Sequence, residues 1–262
     1  MATVERDGQV IGFTDSGGDG PVVVLLHSFA MDGRMFAPQQ ESLAGFRVVT
    51  VDGRGHGGSP TDRPYDFWDS ADDVLAVLDA LGVARAAVCG TSQGGFTALR
   101  VALRAPERVG ALALFGTSAA AEAPEVAEAY RALAAAWRDA GPSDELVATV
   151  AALCFGTAPT GPWPDRWRAG DGAAFARNVD VLVSRDDLVD RLPEVACPAL
   201  VVHGSDDAAY PVDRAEQTAR GLPAAEPLVV VPGGAHFLSL TDATAVDAVL
   251  LPFLQRHAPA PA

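Results

Sequence analysis

The sequence lacks the features that favour a nucleic-acid partner. Its 262 residues carry 34 acidic against 19 basic side chains, a formal net charge of −15, and no run of Lys or Arg offers a local exception. A negative field of this kind repels phosphate backbones. The same field opposes binding to anionic lipid. In most proteins, a surface charge of this kind simply keeps the protein soluble. We therefore expect neither a nucleic-acid nor a membrane partner.

Long apolar segments are also missing. The longest, such as Val22–Leu26 and Val109–Phe115, have the length of strands and fall far short of the roughly 20 residues needed to cross a bilayer. Residues 1–7 mix acidic and basic side chains and lack the cationic start and apolar run of a secretory signal. The expected location is cytoplasmic.

Cysteine is scarce, with only Cys89, Cys154 and Cys197 in the chain. Their number is odd and they are widely separated, so no pair has the spacing of a zinc or redox motif. We expect reduced, buried thiols, and Cys89 lies inside an apolar strand pattern that fits this interpretation.

The apolar residues, 49% of the chain, are sufficient for one large core. Short β-branched runs predict buried strands, and helical periodicity between several of them predicts that strands and helices alternate. This alternation indicates an α/β fold with a mostly parallel sheet flanked by helices. The predicted strands are 22–26, 47–51, 86–89, 109–115, 199–202 and 228–231, and the clearest helices are 71–81 and 96–103.

The alternation stops after Phe115, and the sheet pattern resumes only at Ala199. We therefore predict one core, residues 1–118 and 193–262, interrupted by an inserted helical cap, residues 119–192. The cap is expected to contain helices at 123–140, 143–155 and near 171–184, with a Pro- and Trp-rich turn around 161–165. The Ala- and Pro-rich tail from His257 is expected to be disordered.

The strongest local signal is Gly90-x-Ser92-x-Gly94, which lies between a predicted strand and a predicted helix. In a nucleophile elbow, a sharp turn strains the serine backbone, and small residues two positions away let neighbouring backbone pass. The helix N-terminus also directs unpaired amides, nearest that of Gln93, toward a developing oxyanion. The pattern occurs by chance in Gly-rich turns, but its flanking strand and helix favour a nucleophile.

A serine hydroxyl needs a base to take its proton and a group that orients this base. His236 is the best-placed base, because it lies in a Gly-rich loop after the last predicted strand. Asp206 and Asp207 follow strand 199–202, and both fit the chain order Ser, acid, His. Asp207 is favoured as the orienting carboxylate, and the alternative for Asp206 is to cap the following turn. The remaining histidines, His27, His56, His203 and His257, are interpreted as structural or as part of the tail.

Over residues 10–254 the chain resembles the α/β-hydrolase superfamily. The resemblance is carried by the elbow at 90–95, the loop at 25–29, the Asp-x-Arg-Gly-x-Gly turn at 52–59, the acid turn at 204–211 and the histidine loop at 234–236. The spacing within the family's acid turn selects Asp207. The turn at 52–59 lacks the Gly-Lys-Ser/Thr ending of a nucleotide loop, so we interpret it as structural.

The same resemblance implies that the amides of Phe29 and Gln93 form the oxyanion hole. Here Ser28 replaces the usual Gly, as in 3-oxoadipate enol-lactonase-like members of the superfamily, although Ala30 stands where that pattern often has Gly. The side chain of Ser28 either restricts the hole or donates its own hydrogen bond. The candidates for the substrate pocket are Ser28 and the cap residues Phe155, Trp163 and Trp167, whose alternative is ordinary packing.

These residues predict a serine hydrolase that cleaves a small carboxylic ester or lactone through an acyl-enzyme intermediate, without a metal or organic cofactor. The same fold and the same three residues also serve cofactor-free perhydrolases, C–C hydrolases and acyltransferases. A small-molecule receptor that retains the pocket is the alternative from another class. The sequence carries no signal for an oligomeric state.

Overall fold

The computed structural model describes residues 1–260, which form one eight-stranded sheet with helices on both faces. The strands are β1 (Ala2–Arg6), β2 (Gln9–Asp15), β3 (Val22–Leu26), β4 (Arg47–Val51), β5 (Ala86–Thr91), β6 (Val109–Phe115), β7 (Ala199–Gly204) and β8 (Val229–Val231). Their order across the sheet is β1-β2-β4-β3-β5-β6-β7-β8. Only β2 pairs antiparallel, with β1 and β4, and the other pairs are parallel. The predicted α/β fold with a mostly parallel sheet is confirmed.

The helices are α1 (Ala37–Ser42), α2 (Phe67–Ala80), α3 (Gln93–Arg104), α4 (Pro124–Ala140), α5 (Asp144–Phe155), α6 (Trp163–Arg168), α7 (Gly172–Val183), α8 (Val212–Gly221), α9 (Leu238–Thr241) and α10 (Ala243–His257). Three short 3-10 helices, Gly33–Phe36, Pro106–Arg108 and Val189–Glu194, lie in the connections between strands and helices. In residues 1–260, every helix is too short or too polar to cross a membrane.

The central strands are buried on both faces, which explains their nearly continuous apolar sequences. Along β3, Val24 packs into a core cluster with α2, α3 and α8, whereas Val23 and Leu25 pack into a second cluster with α10. Successive side chains of a strand point to opposite faces, so a strand covered twice needs apolar residues at every position.

The N-terminal hairpin of β1 and β2 is absent from the sequence-based strand assignment. Asp7 and Gly8 connect the two strands with positive φ angles of 53° and 72°. An Asp-Gly pair with two left-handed residues is the preferred two-residue hairpin turn, because its twist matches that of the strands. The dipeptide therefore carried the signal that the assignment missed.

Helices α4 to α7 lie between β6 and β7 and form a cap over one edge of the sheet. Where a turn was expected at 161–165, the chain forms α6, because Pro164 stands in the first helical turn, where a missing N–H costs nothing. The tail also differs from expectation: α10 continues to His257, and Ala258 packs against the core. Residues 261–262, the end of the predicted core segment 193–262, lie outside the described residues.

Candidate active site

Three side chains at the carboxyl edge of the sheet come together from separate loops. Ser92 directly follows β5, Asp207 lies three residues after β7, and His236 lies in the loop after β8. The carboxyl ends of parallel strands meet at one edge, so residues that are up to 144 positions apart in the chain become neighbours.

Ser92 stands at a strained strand-to-helix turn. Its backbone has φ 52° and ψ −116°, and it caps the N-terminus of α3. A Cβ on Gly90 would overlap the Gly94 carbonyl, and a Cβ on Gly94 would overlap the carbonyl of Leu26. The two glycines therefore permit the close backbone approach that holds the Ser92 hydroxyl clear of the sheet.

A continuous hydrogen-bonded chain joins the three residues. The Ser92 Oγ lies 2.9 Å from His236 Nε2, and His236 Nδ1 lies 2.8 Å from Asp207 Oδ2. An ionised carboxylate only accepts, so Nδ1 carries the proton and Nε2 is left to accept the serine hydrogen. Burial opposes ionisation of Asp207, but His236, the Tyr210 amide and His203 outweigh it and hold the pKa of Asp207 below its usual value.

The acid turn distinguishes the two adjacent aspartates. Asp206 is exposed and accepts a hydrogen bond from the Ser205 hydroxyl at 2.8 Å. The expected capping role belongs instead to Asp207, whose Oδ1 accepts from the Ala209 and Tyr210 amides at 2.8 and 2.9 Å. Asp207 therefore uses one oxygen to fix its own turn and the other to orient the imidazole.

The loop after β3 presents a free amide beside Ser92. The Ser28 amide donates a hydrogen bond to Met35 Sδ at 3.2 Å. Within residues 1–260, neither the Phe29 amide in this loop nor the Gln93 amide at the start of α3 donates to a protein atom. The Ser28 carbonyl accepts from His27 Nδ1 at 2.7 Å. Since C=O and N–H of a trans peptide point in opposite directions, this bond fixes the direction of the Phe29 N–H.

Two neutral histidines hold this loop. His27 Nε2 accepts the Gly53 amide at 2.8 Å, which leaves the proton on Nδ1 for the Ser28 carbonyl. His56 Nε2 accepts the Ala30 amide at 3.3 Å, and burial lowers the pKa of His56 to about 3. These bonds keep Ala30 at φ 58°, a conformation that favours glycine.

Ser92 opens into a small, mostly apolar cavity of about 50 Å³ beneath the cap. Ser28, Phe29 and His236 contribute to its wall, and the Ser28 hydroxyl is fully buried without a hydrogen-bond partner in residues 1–260. The remaining wall comes mainly from cap helices that sequence reasoning did not single out; it comprises Tyr130, Leu133, Val150, Leu153, Cys154, Phe175, Val179, Leu182, Ala209, Tyr210 and Phe237. The apolar stripes of α4, α5 and α7 were the available signal.

The cap aromatics take other positions than expected. Trp163 and Trp167 line a separate outer cleft of about 220 Å³ rather than the cavity at Ser92. Phe155 takes the alternative of ordinary packing: its ring is fully buried and packs against Phe237 at 5.4 Å between centroids. Cys154, the preceding residue of α5, faces the cavity. Because successive residues of an α-helix are rotated by about 100°, the Phe155 side chain points into the core instead.

Comparison with known proteins identifies the family of the chain. The model of the α/β hydrolase fold family matches residues 21–243, and the chain belongs to this family. It is 30% identical over 260 residues to a putative carbamate hydrolase RutD of Caulobacter sp. (strain K31), which covers 92% of each chain.

Two solved structures are also similar. The enol-lactonase from Burkholderia xenovorans LB400 has 28% identity and a TM-score of 0.87 over 97% of this chain and 100% of its own. A thermophilic esterase from Thermogutta terrifontis, solved with malate bound, has 28% identity and a TM-score of 0.86 over 97% and 96%. The predicted superfamily membership is confirmed, and the chain is a hydrolase of this fold.

Proposed function

We propose that this hydrolase uses Ser92 to cleave a small carboxylic ester or lactone through an acyl-enzyme intermediate. The observation that carries the proposal is the hydrogen-bonded chain from Asp207 through His236 to Ser92, with links of 2.8 and 2.9 Å. It ends at a strained serine that lines a cavity. This arrangement supplies a nucleophile, a base and a group that fixes the tautomer of the base.

The reaction follows from these roles in two balanced halves. His236 Nε2 takes the Ser92 proton while Oγ bonds to the carbonyl carbon, and the imidazolium then gives this proton to the leaving oxygen as the carbon–oxygen bond breaks. In the second half, His236 Nε2 takes a proton from water while the water oxygen bonds to the acyl carbon, and it then gives this proton to Ser92 Oγ as the acyl–serine bond breaks and the carboxylic acid leaves. Asp207 stays ionised throughout, because its pKa is held low and its negative charge stabilises the imidazolium.

The transition state gathers negative charge on the carbonyl oxygen, which needs fixed donors. The amides of Phe29 and Gln93 are available because neither donates elsewhere among the described residues. The Ser28 hydroxyl is the third donor in this proposal, because it lines the same cavity and its oxygen is buried without a partner. A buried hydroxyl without a partner is costly, and a substrate oxyanion would satisfy it.

The cavity restricts the acyl group. Its volume is about 50 Å³, whereas pockets for drug-sized ligands usually measure roughly 300–1,000 Å³. Apart from His236, its wall within the described chain contains no acidic or basic side chain. We therefore expect a short, uncharged acyl group, such as acetyl or propionyl, to be preferred.

Fluorophosphonate labelling followed by peptide mass spectrometry tests the nucleophile. The expected adduct is on Ser92, is lost in Ser92→Ala and is retained in Ser42→Ala, which changes a remote serine. Hydrolysis of p-nitrophenyl esters of graded chain length and of simple lactones tests the reaction. Folded protein without an adduct on Ser92 contradicts the proposal. Labelling without turnover of any of these substrates would favour the perhydrolase, C–C hydrolase or acyltransferase alternatives.

Carbamate hydrolysis is a second candidate, favoured by the 30% identity to a putative carbamate hydrolase over 92% of both chains. The same serine attack on a carbamate carbonyl would release an alcohol and leave a carbamoyl group on Ser92. Phenyl acetate and phenyl carbamate share one leaving group and differ little in size, so their kcat/KM values are directly comparable. A higher value for the carbamate would replace the ester proposal with this one.

A further inference from the structure

Two cavities adjoin across one pair of aromatic rings. Phe29 and Phe175 line both the inner cavity at Ser92, of about 50 Å³, and the outer cleft, of about 220 Å³. Their ring centroids are 5.0 Å apart in an edge-to-face contact. The ring of Phe29 therefore stands at the boundary between two adjoining spaces, and the amide of Phe29 is one of the proposed oxyanion donors.

The two spaces differ in chemistry. The inner cavity is walled mainly by apolar side chains, whereas the outer cleft contains Arg34, Arg166, Asp32 and Asp171. An ester has two sides, and the acyl side stays on the serine while the alcohol side leaves. An apolar inner space suits a short acyl group, and the larger, polar outer space suits the leaving group.

One cation of the outer cleft is available to a ligand. Arg34 is engaged, because its Nε donates to Asp32 Oδ1 at 2.8 Å and its Nη2 donates to Oδ2. Arg166 is half-buried with its guanidinium carbon 4.7 Å from the Trp163 ring centroid, and it makes no ion pair with any carboxylate of residues 1–260. In a chain with 34 acidic and 19 basic residues, an arginine without an acidic partner beside the site is an open anion-binding group.

We infer that the outer cleft is a leaving-group subsite, in which Arg166, stacked on Trp163, binds a carboxylate carried by a planar alcohol or phenol. This inference rests on the proposed ester hydrolysis. When the carbon–oxygen bond breaks, His236 protonates the leaving oxygen, and the released hydroxyl compound leaves on the outer side of the partition formed by Phe29 and Phe175. Specificity for the acid and for the alcohol is thus divided between two adjoining spaces.

A matched pair of substrates, 3-carboxyphenyl acetate and 3-carbamoylphenyl acetate, tests the subsite. Both give the same acetyl-enzyme, and kcat/KM covers the steps from binding through release of the phenol, so the ratio of the two values reports on the leaving group. Arg166→Gln keeps most of the side-chain length but removes the charge, and it should lower this ratio about fivefold. Arg168→Gln is the control, because Arg168 lies on the same helix but is paired with Asp144 at 2.9 Å.

Calorimetric binding of 3-hydroxybenzoate, with 3-hydroxybenzamide as its neutral counterpart, gives a readout that does not need turnover. The benzoate should bind more tightly to the unmodified protein, and Arg166→Gln should remove this preference. An unchanged preference in Arg166→Gln, or an equal loss in Arg168→Gln, overturns the subsite. Absence of turnover together with an Arg166-dependent preference would retain the subsite and reject the ester reaction.

Discussion

The Ser28→Ala substitution is expected to change stability and activity in opposite directions. In the unliganded protein the Ser28 hydroxyl is buried without a partner, and a group in this state costs about 1–3 kcal/mol of folding free energy. Alanine removes the hydroxyl and keeps the Cβ. Because about 1 kcal/mol shifts Tm by about 2–4 °C in a protein of this size, we expect Tm to rise by about 2–12 °C.

Activity should fall in the same variant, because the hydroxyl is proposed to meet the oxyanion. Loss of one donor costs about 10²–10³ in rate where that donor is essential. Here the Phe29 and Gln93 amides remain, so we expect kcat for p-nitrophenyl acetate to fall about 10- to 100-fold. Affinity for a short alkylboronic acid, which forms a tetrahedral adduct with the serine, should fall by a similar factor.

Ser59→Ala is the matched control for this experiment. Ser59 is also fully buried, but its hydroxyl donates to the Asp52 carbonyl at 2.6 Å and accepts the Gly12 amide at 2.8 Å. This variant should lose about 1–3 kcal/mol of stability and keep its kcat. A Ser28→Ala protein with raised Tm and unchanged kcat would refute the role of the hydroxyl in catalysis, and a lowered Tm would refute its unsatisfied state.

Three further changes test the oxyanion loop, the cap and the partition. The pKa of His56 is about 3 in the folded protein and higher in the unfolded chain, so protonation favours unfolding and stability is lost as the pH falls. Between pH 7 and 5, the free energy of unfolding from urea titrations should fall by about 2 kcal/mol more in the unmodified protein than in His56→Gln. If the free energy of unfolding falls equally with pH in both proteins, the role of His56 is contradicted. Trp167→Phe removes the indole donor that lies 2.8 Å from the Ala30 carbonyl, and it should lower kcat about fivefold because the loop that carries Phe29 loses a tether. Trp68→Phe, which removes an indole donor bonded to Asp186 at 3.1 Å, is its control, and an equal loss there would assign the effect to the general cost of replacing a tryptophan. Phe175→Ala removes one of the two rings at the boundary of the cavities and widens the space open to the acyl group, so activity on p-nitrophenyl hexanoate relative to acetate should rise about tenfold. An unchanged chain-length profile would show that the partition does not limit the acyl group.

The positions of Ser92, Asp207 and His236 could be predicted because each depends on local sequence. The elbow follows from the spacing of its two glycines, and the other two residues stand in loops after short apolar strands. The topology then brings the three residues together, because the carboxyl ends of parallel strands lie at one edge of the sheet. The geometry brings the three within hydrogen-bond distance, and their catalytic roles stay predictions until Ser92 is labelled.

The wall of the cavity could not be predicted in the same way. Cap helices are apolar on more than one side, and which side faces Ser92 depends on packing between helices that are distant in sequence. Trp137 shows this: its ring stacks on Phe175 at 4.2 Å, and this contact places Phe175 beside Phe29. No periodicity within α7 alone contains that information. Phe155 is also an aromatic residue of a cap helix, but its ring lies in the core.

The oxyanion loop and the cap are linked through Ala30. A non-glycine residue at φ 58° costs about 1–2 kcal/mol, and this cost has to be offset by its surroundings. His56 holds the Ala30 amide from the core side, and Trp167 holds its carbonyl from the cap at 2.8 Å. At about 1 kcal/mol for each bond, the two together offset the whole range of the strain cost, whereas one alone offsets only its lower end. We therefore expect the loop to keep its shape, and the Phe29 amide its direction, only while α6 is docked, so that a displaced cap would open the outer cleft and weaken the oxyanion hole together.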